Sequence, residues 1–281
     1  MISQIDLKYF AEIAKTNHLS RAAERLGVTQ PALSHSIKRI ESTLGHEILL
    51  RSKKGVTLTP AGCRLLEQSQ ALIHLWDQVV RSAHDETGKV AGTIRIGCHT
   101  AVAQYTLPHF LPKFLKAHPH LKLQLIHGLS RHMTESVVSG QLDAAIVINP
   151  TPHPDLVIKE LGRDVVTVWK ALNCVNPDLL LIEPNILQTQ HITTRLQKAG
   201  KTFNRIIECT SLEVIAQLLA SGTGCAILPE RVAHAFSPTS KIAPLAGAPQ
   251  FHDRICLIFK PEFKKLKRGA VFASALAESF G

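Results

Sequence analysis

The chain has 281 residues, of which 45% are hydrophobic and 19% are charged, and its formal net charge is +10. This composition supports a substantial core and excludes global disorder, and the length predicts two or three domains. No apolar run approaches the ~18 residues of a membrane-spanning helix, and the N-terminus lacks the basic-then-apolar pattern of a signal peptide. We therefore expect a cytoplasmic protein with no membrane partner.

The N-terminal part of the chain predicts three helices. Residues 5–16 place apolar side chains at helical spacing and are expected to support the two helices that follow. Gly27 is expected to end the second helix, and Thr29 to start the third as its N-cap, with Pro31 tolerated in the first turn. The apolar side chains of the third helix recur at spacings of four and three, at Leu33, Ile37, Ile40 and Leu44.

The opposite face of the third helix is polar and cationic, and it carries Gln30, Ser34, His35, Lys38 and Arg39. A helix that is anchored on one side and offers hydrogen-bonding groups on the other suits the major groove of DNA. Local positive charge at Arg21 in the preceding helix adds to this footprint. An ordinary solvated face on a helical hairpin is the alternative that these residues alone leave open.

A hairpin is predicted after Gly45 ends the third helix. Residues 48–51 and 56–59 read as two short strands, and the turn between them carries Lys53 and Lys54 at its tip, with Arg51 on the first strand. Beside the helix pair this hairpin resembles a wing, and its cations are expected to contact phosphates.

A long helix is predicted from Pro60 to about Ala83, with Thr59 as its N-cap. Such an apolar helix needs a partner, either the C-terminal domain or a second copy of itself. Self-pairing would place two recognition helices on one face of a duplex. The apolar seam runs through Leu65, Ser69, Leu72, Trp76, Val79 and Ala83, and it is widened by Leu66, Ile73 and Val80.

The C-terminal part alternates strands with helices after a polar, glycine-containing linker at 85–92. This alternation predicts a parallel α/β sheet, which binds ligands at the carboxyl ends of its strands. Those ends offer hydroxyl, amide, imidazole, guanidinium and backbone N–H groups, a combination suited to a carboxylate or another small anion. The predicted strands are 93–97, 121–126 and 143–148, and the predicted helices are 107–117, with Leu107, Phe110, Leu111, Phe114 and Leu115 inward, and 133–138.

Taken in order, these features closely resemble the LysR-type transcriptional regulators. The resemblance rests on the stretches 7–10, 21–26, 30–34, 40–45 and 58–62, and in the C-terminal half on 139–146 and 218–229, whereas 165–184 matches poorly. It implies a winged helix-turn-helix domain at 1–59, followed by a dimerisation linker helix and hinge at 60–92. An effector domain of two α/β subdomains, similar to periplasmic binding proteins, would comprise 93–160 with 262–281 and 161–261.

The resemblance also implies site residues. On the recognition helix, Gln30, Pro31, Ser34 and His35 fall where the family contacts DNA, although many relatives carry Arg where this chain has His35. In the effector domain, Thr100, Ser130 and Thr210 are the strongest expected contacts, with N-capping of their helices as the alternative role. The full expected effector site is His99, Thr100, Ala101, Ser130, Arg131, Asn149, Thr210 and Ser211.

The expected partners are double-stranded DNA, RNA polymerase, a small-molecule effector that we expect to be anionic, and further copies of the chain in a homodimer that assembles into a homotetramer. The effector would shift the placement of the DNA-binding domains. An effector-independent repressor or DNA-bridging protein is the alternative, and it predicts no ligand-dependent thermal shift.

Enzymatic chemistry is not expected. The chain has no G-x-S-x-G elbow and no phosphate-binding G-x-x-x-x-G-K-[ST] loop. Its six cysteines include no C-x-x-C pair, and Cys98-His99 with Cys209 lack the close spacing of metal ligands. We therefore expect no catalytic residue, no metal and no cofactor.

Overall fold

The computed structural model describes residues 1–52, 55–82, 90–236 and 241–280. The chain divides into two compact units, Met1–Lys89 with Glu135–Leu142 and Val90–Thr134 with Asp143–Gly281. Within the described ranges, no helix combines the length and the apolar character needed to cross a membrane.

The N-terminal unit begins with three helices, α1 (Gln4–Thr16), α2 (Leu19–Leu26) and α3 (Gln30–Leu44). Both predicted glycine ends are confirmed, because Gly27 and Gly45 close α2 and α3 in the left-handed conformation with φ of 66° and 72°. The N-cap of α3 is also confirmed, since the Thr29 side chain accepts a hydrogen bond of 3.4 Å from the Ala32 N–H.

The core of this unit contains Phe10, Ile13, Leu33, Ile37 and Ile40, all of them fully buried. The prediction of buried residues is wrong at two positions, Leu44 at the end of the apolar stripe of α3 and Leu115 on the predicted inward face of the helix at 107–117. Leu44 and Leu115 are each 40% exposed. Both lie in the last turn of their helices, and in the helix that contains Leu115 the neighbouring Phe114, which is buried against Phe272, occupies the packed face of that turn.

The predicted hairpin is confirmed as β1 (Leu49–Ser52) paired antiparallel with β2 (Gly55–Leu58). Gly55 has a φ of 130°, and a Cβ there would lie 2.5 Å from the carbonyl oxygen of Asn17. The next N–H, that of Val56, donates to the same oxygen at 2.9 Å. The wing is therefore fixed against the loop between α1 and α2, while Lys53 and Lys54 lie outside the described residues.

The predicted long helix is α4 (Pro60–Ser82), and Thr59 is its N-cap because its Oγ1 accepts from the Gly62 N–H at 3.0 Å. In its first half, Leu65 and Leu66 pack against the core of the three helices. In its second half, large apolar side chains are exposed in the single chain, namely Leu72, Leu75, Trp76 and Val79 at 51–61%. The predicted hinge at 85–92 falls largely on residues outside the described ranges.

The C-terminal unit is built on one mixed sheet in the order β4-β3-β5-β11-β6-β9-β7-β8, with β10 paired to β6. Its strands are β3 (Gly92–Cys98), β4 (Leu121–His127), β5 (Ala144–Ile148), β6 (Val157–Ala171), β7 (Leu179–Ile182), β8 (Arg205–Glu208), β9 (Cys225–Pro229), β10 (Ile242–Pro244) and β11 (Phe251–Phe259). Its helices are α5 (Thr100–Ala117), α6 (Ser130–Val138), which the division between the two units crosses, α7 (Leu187–Lys198), α8 (Leu212–Ala220), α9 (Glu230–Ala235), α10 (Pro261–Lys265) and α11 (Lys267–Glu278).

The sheet consists of two parallel lobes joined by two antiparallel strands. In the first lobe β3 runs parallel to β4 and β5, and in the second lobe β7 runs parallel to β8 and β9. The crossing strands β6 and β11 pair antiparallel with each other and connect the lobes. The predicted parallel arrangement is thus confirmed within each lobe. The strands β6 and β11 depart from it, because the chain crosses between the lobes once in each direction and these two strands are therefore antiparallel to their neighbours.

The segment 165–184, which matched poorly in sequence, forms the end of β6 and all of β7. Val166, Val168 and Leu181 are fully buried there, so the segment belongs to the core of the sheet. The predicted helix at 107–117 begins earlier, at Thr100, directly after β3.

Candidate functional site

The outward face of α3 carries the predicted recognition residues. Gln30, His35 and Lys38 are exposed and Ser34 is half-buried, while Leu33 and Ile37 on the other face are fully buried. The Ser20 hydroxyl donates to Gln30 Oε1 at 3.1 Å, which links the first turn of α2 to the first turn of α3. Pro31 and Arg21 are also exposed, and Arg51 is exposed on β1 of the wing.

Arg39, also predicted to contact DNA, is tied to a buried carboxylate. Asp6 is fully buried and accepts hydrogen bonds from the Arg39 guanidinium, from Ser36 Oγ at 2.6 Å and from Ser3 N–H at 2.8 Å. Burial alone would raise the pKa of Asp6, but these hydrogen bonds, first that of Arg39, lower it well below its usual range. The guanidinium therefore holds α3 against α1, and the Arg39 side chain is still 42% exposed to solvent.

The carboxyl ends of the strands in the two lobes lie near each other within the C-terminal unit, and we call the place where they meet the cleft. Its first-lobe edge includes His99 after β3 and Asn149 after β5, and its second-lobe edge includes Glu183 after β7 and Ser211 after β8. Helix α5 starts at the first-lobe edge, yet Ala101 in its first turn is 1% exposed and packs in the core of the second lobe. The two edges therefore lie close together where α5 begins.

The first turn of α5 is capped by an imidazole. His99 Nδ1 accepts from the Ala101 N–H at 3.2 Å, and Thr100 is exposed. Burial is the main reason that the pKa of His99 is lowered. The negative charges of Glu213 and Glu183 act to raise this pKa, and His127 acts to lower it further. This ring is thus held neutral at the edge of the cleft, within electrostatic reach of two carboxylates from the second lobe.

Ser130 and Arg131 begin α6, and the structure gives them different surroundings. Ser130 Oγ accepts from the Ile148 N–H at 3.0 Å, which fixes the start of α6 to the end of β5. Arg131 is exposed. Arg131 is therefore the more accessible of the pair, and Ser130 is half-buried.

Asn149 is bound to the crossing strand β11. It has a left-handed backbone with φ of 49°. Its Nδ2 donates to Asp253 at 2.6 Å and its Oδ1 accepts from the Arg254 N–H at 2.8 Å. The Asn149 amide therefore serves first to join β5 to β11.

Asp253 is a buried carboxylate that both lobes reach, and sequence reasoning missed it. Gln188 Nε2, in the first turn of α7, donates to its two oxygens at 3.0 and 2.9 Å, and Asn149 Nδ2 donates to one of the same oxygens. Burial raises the pKa of Asp253 to about 6, and Asp164, its register partner on β6, adds to the rise. Burial likewise raises the pKa of Asp164 to about 6. In the sequence, the sign of this buried carboxylate is an aspartate within the run of residues that forms β11.

The first turn of α8 is capped within the protein. Ser211 Oγ accepts from the Val214 N–H at 3.3 Å and donates to Glu213 Oε2 at 2.6 Å, whereas Thr210 is exposed. The N-cap of α8 is therefore Ser211, and that of α5 is His99, so the N-capping alternative is wrong for Thr210 and for Thr100. The positive end of α8 already has the Glu213 carboxylate beside it.

Glu183 was also missed by sequence reasoning. It directly follows the apolar run of β7 and is only 2% exposed. Its Oε1 accepts two hydrogen bonds of 2.9 Å from the N–H and the Nδ2 of Asn185. Its Oε2 is buried and has no hydrogen-bond partner among the described residues.

The cysteine and possible metal ligands at this cleft have the following properties. Burial raises the pKa of Cys98 to about 11, so this thiol stays protonated at neutral pH. Within the described ranges, no cluster of three His, Cys, Asp or Glu side chains is placed to hold a metal ion.

A winged helix-turn-helix followed by a long helix, on one chain with a two-lobed α/β unit, defines a DNA-binding transcriptional regulator with an effector domain. Two family models match the chain in the same order. The model described as bacterial regulatory helix-turn-helix protein, lysR family, matches residues 5–63, and the LysR substrate binding domain model matches residues 87–281. The chain belongs to the LysR family of transcriptional regulators, whose members are regulators and not enzymes.

Named relatives agree with this assignment. The HTH-type transcriptional regulator BbuR of Bordetella bronchiseptica is 32% identical over 211 residues, which cover 74% of this chain and 63% of BbuR. The HTH-type transcriptional regulator IlvY of Escherichia coli is 29% identical over 242 residues, covering 81% of this chain and 82% of IlvY.

Solved structures show the same fold at lower identity. CbnR, a LysR family transcriptional regulator, superposes with a TM-score of 0.72 at 22% identity, over 99% of each chain. A full-length OxyR variant from Pseudomonas aeruginosa superposes with a TM-score of 0.68 at 24% identity, over 100% of this chain and 95% of that chain.

Proposed function

We propose that the chain regulates transcription as a homodimer that assembles into a homotetramer, reads double-stranded DNA through α3 and the wing, and answers to a small effector held in the cleft between the lobes. The carrying observation is the exposed, capped face of α3 with Gln30, His35 and Lys38, whose opposite face is anchored in the core. Because its partner is chromosomal DNA, the proposed site of action is the cytoplasm.

The DNA-reading part of the proposal assigns two kinds of contact. Gln30 and Ser34 lie in the first turns of α3, where the N-terminal end of a recognition helix meets base edges. Arg21, Lys38 and Arg51 are exposed cations suited to phosphates, and Lys53 and Lys54 add two positive charges to the sequence between β1 and β2. The similar protein CbnR is known in complex with its target DNA, at 22% identity and a TM-score of 0.71.

The dimer is proposed to form through the second half of α4. Leu72, Leu75, Trp76 and Val79 are more than half exposed in the single chain, although the first half of the same helix is packed. Large apolar side chains at helical spacing are stabilised by a matching helix, and a second copy of α4 provides one. Pairing of dimers would give the tetramer.

The effector is proposed to bind at the start of α5, with an anionic group beside the positive end of this helix and the hydroxyl of Thr100. Thr210 and Arg131 are exposed and complete the polar lining together with His99, Ser130 and Ser211. Binding there would change how the regulator bends DNA and contacts RNA polymerase.

A footprint on the DNA flanking its own gene, with and without a panel of small anions, tests the proposal. We expect protection of a two-fold symmetric site, and a change in its extent with one compound of the panel. Protection that no small molecule alters, together with an unchanged melting temperature, would favour the effector-independent repressor or DNA-bridging protein. Equal affinity for the flanking and for random DNA would refute sequence reading.

A further inference from the structure

Three buried hydrogen-bond acceptors lie on the second-lobe edge of the cleft. Glu183 Oε2 follows β7, Thr189 Oγ1 is in the first turn of α7, and Glu213 Oε1 is in the first turn of α8. Each atom is buried and has no hydrogen-bond partner among the described residues, and Glu183 and Thr189 are only 2% and 1% exposed. Buried polar atoms are almost always paired in folded proteins. Because the Glu183 and Glu213 carboxylates both lie within electrostatic reach of His99, their unpaired oxygens indicate a place for a ligand beside that ring.

The chemistry of these atoms specifies what such a ligand offers. Two of them are carboxylate oxygens, which accept hydrogen bonds and attract positive charge, and the third is a hydroxyl that can accept. The nearby His99 ring is held neutral and uses Nδ1 to accept from the Ala101 N–H. The edge is thus rich in acceptors and negative charge, and it matches a group with several N–H donors and a positive charge.

The same residues determine where an anionic group of the ligand can lie. The first turn of α8 is closed by the Ser211 hydroxyl and by the Glu213 carboxylate, which would repel a second anion. The first turn of α5, with Thr100 exposed, has no carboxylate of its own. An anion is therefore favoured at α5, in the first lobe, and disfavoured at α8.

We infer that the effector is an amino acid or a close analogue, with its ammonium group between Glu183 and Glu213 and its carboxylate at the first turn of α5. This inference rests on the proposed effector function of the cleft and names its ligand class. The ammonium group has three N–H donors and can donate to both unpaired carboxylate oxygens, Glu183 Oε2 and Glu213 Oε1. A metal cation fits less well, because no cluster of three ligating side chains is present in the described ranges.

Matched compounds test the inference on the full chain. Each set contains an amino acid, the acid without its α-amine and the amine without its α-carboxylate. Suitable sets are L-alanine, propanoate and ethylamine; L-leucine, 4-methylpentanoate and isopentylamine; L-phenylalanine, 3-phenylpropanoate and phenethylamine; and L-lysine, 6-aminohexanoate and cadaverine. We expect one amino acid to raise the melting temperature and alter the footprint, and its two partial analogues to bind at least tenfold more weakly.

Variants then locate the amine. Glu183→Gln keeps an oxygen for the two bonds from Asn185 and replaces the unpaired oxygen with a donor, so affinity for the amino acid should fall roughly 30-fold or more. Glu208→Gln, at an exposed position of the same lobe, is the matched control and should leave affinity unchanged. The melting temperature without ligand should not fall in Glu183→Gln, since no hydrogen bond is lost.

The outcomes separate this inference from the proposed function. If a simple carboxylate binds as tightly as its amino acid, or if Glu183→Gln binds the amino acid normally, the ammonium site is refuted while an effector-controlled regulator stands. If no amine-bearing compound changes either the melting temperature or the footprint, the inference also fails. If DNA binding itself shows no sequence preference, the proposed function fails independently of any ligand.

Discussion

The buried carboxylate of Asp253 should make the stability of the C-terminal unit depend on pH in an unusual direction. Asp253 is 2% exposed, and its pKa is raised from 3.8 to about 6 by burial, against the hydrogen bonds from Gln188 and Asn149. A carboxyl group with a raised pKa in the folded state binds its proton more tightly when folded than when unfolded. Stability from this group therefore increases as the pH falls from 7 toward 4, and it changes little above pH 7.

The magnitude follows from the two pKa values. Between pH 7.5 and pH 5, a shift from 3.8 to about 6 is worth about 1.4 kcal/mol in the free energy of unfolding. For a domain of this size, that corresponds to roughly 3 to 6 °C in melting temperature. His99 acts in the opposite direction, because its pKa is lowered by burial and its protonation in acid disfavours the folded state.

A comparison with Asp253→Asn removes the contribution of His99 and of the other groups that do not interact with Asp253, whereas the linked change at Asp164 belongs to the measured effect. Melting temperatures of the full chain are measured at pH 7.5 and pH 5 for both proteins, and the change with pH is compared. We expect the unmodified chain to gain about 3 to 6 °C relative to Asp253→Asn on acidification. Asp178→Asn, at an exposed carboxylate of the same unit, serves as the control and should follow the unmodified chain.

Identical pH dependence of the unmodified chain and Asp253→Asn would refute the reasoning, because it would mean that Asp253 is ionised in the folded chain at pH 5. A loss of stability in Asp253→Asn that is equal at both pH values would show only that the hydrogen bonds to Asn149 and Gln188 are broken.

Four further predictions address the N-terminal unit. Gln30→Ala should cost roughly 1 to 3 kcal/mol at one base pair of the operator, and equal losses on random DNA would contradict base reading. Replacing Lys53 and Lys54 with Ala should reduce the slope of log affinity against log salt by roughly two, so an unchanged slope argues against a phosphate-binding wing. Leu72→Glu should dissociate dimers in sedimentation, which an intact assembly would disprove. Asp6→Ala should lower the free energy of unfolding by about 3 kcal/mol, since Ser36 and Arg39 lose their acceptor, and an unchanged melting temperature would exclude a supporting role.

The N-terminal unit was predictable from sequence because its determinants are local. Gly27 and Gly45 end helices through their own backbone preference, and Thr29 caps α3 through a hydrogen bond three residues away. The role of Arg39 was not predictable, because its partner Asp6 lies 33 residues earlier in the chain. Helical periodicity places Arg39 on an exposed face but does not show which buried charge its guanidinium reaches.

The cleft was predictable only in outline. Alternating strands and helices correctly placed its first edge after β3 and β5, since parallel strands end together. Side chains can be selected from sequence only by their type, which favoured the amide of Asn149 and the hydroxyl of Ser211, and the structure uses both for internal bonds. Glu183 was passed over because a single carboxylate after a strand carries no local signal of burial.

The charge that we propose for the effector also differs between the sequence and the folded chain. Hydroxyls and helix N-termini read from sequence favour an anion, because each feature is judged by itself. In the folded chain Glu213 lies at the first turn of α8, and Glu183 is buried on the same edge. The second lobe therefore attracts positive charge while the first turn of α5 still attracts negative charge. A ligand that carries both charges can bind to both lobes at once, with its ammonium group at the second lobe and its carboxylate at the first. Because each lobe alone binds only one of these groups, such a ligand would stabilise one fixed spacing of the two lobes.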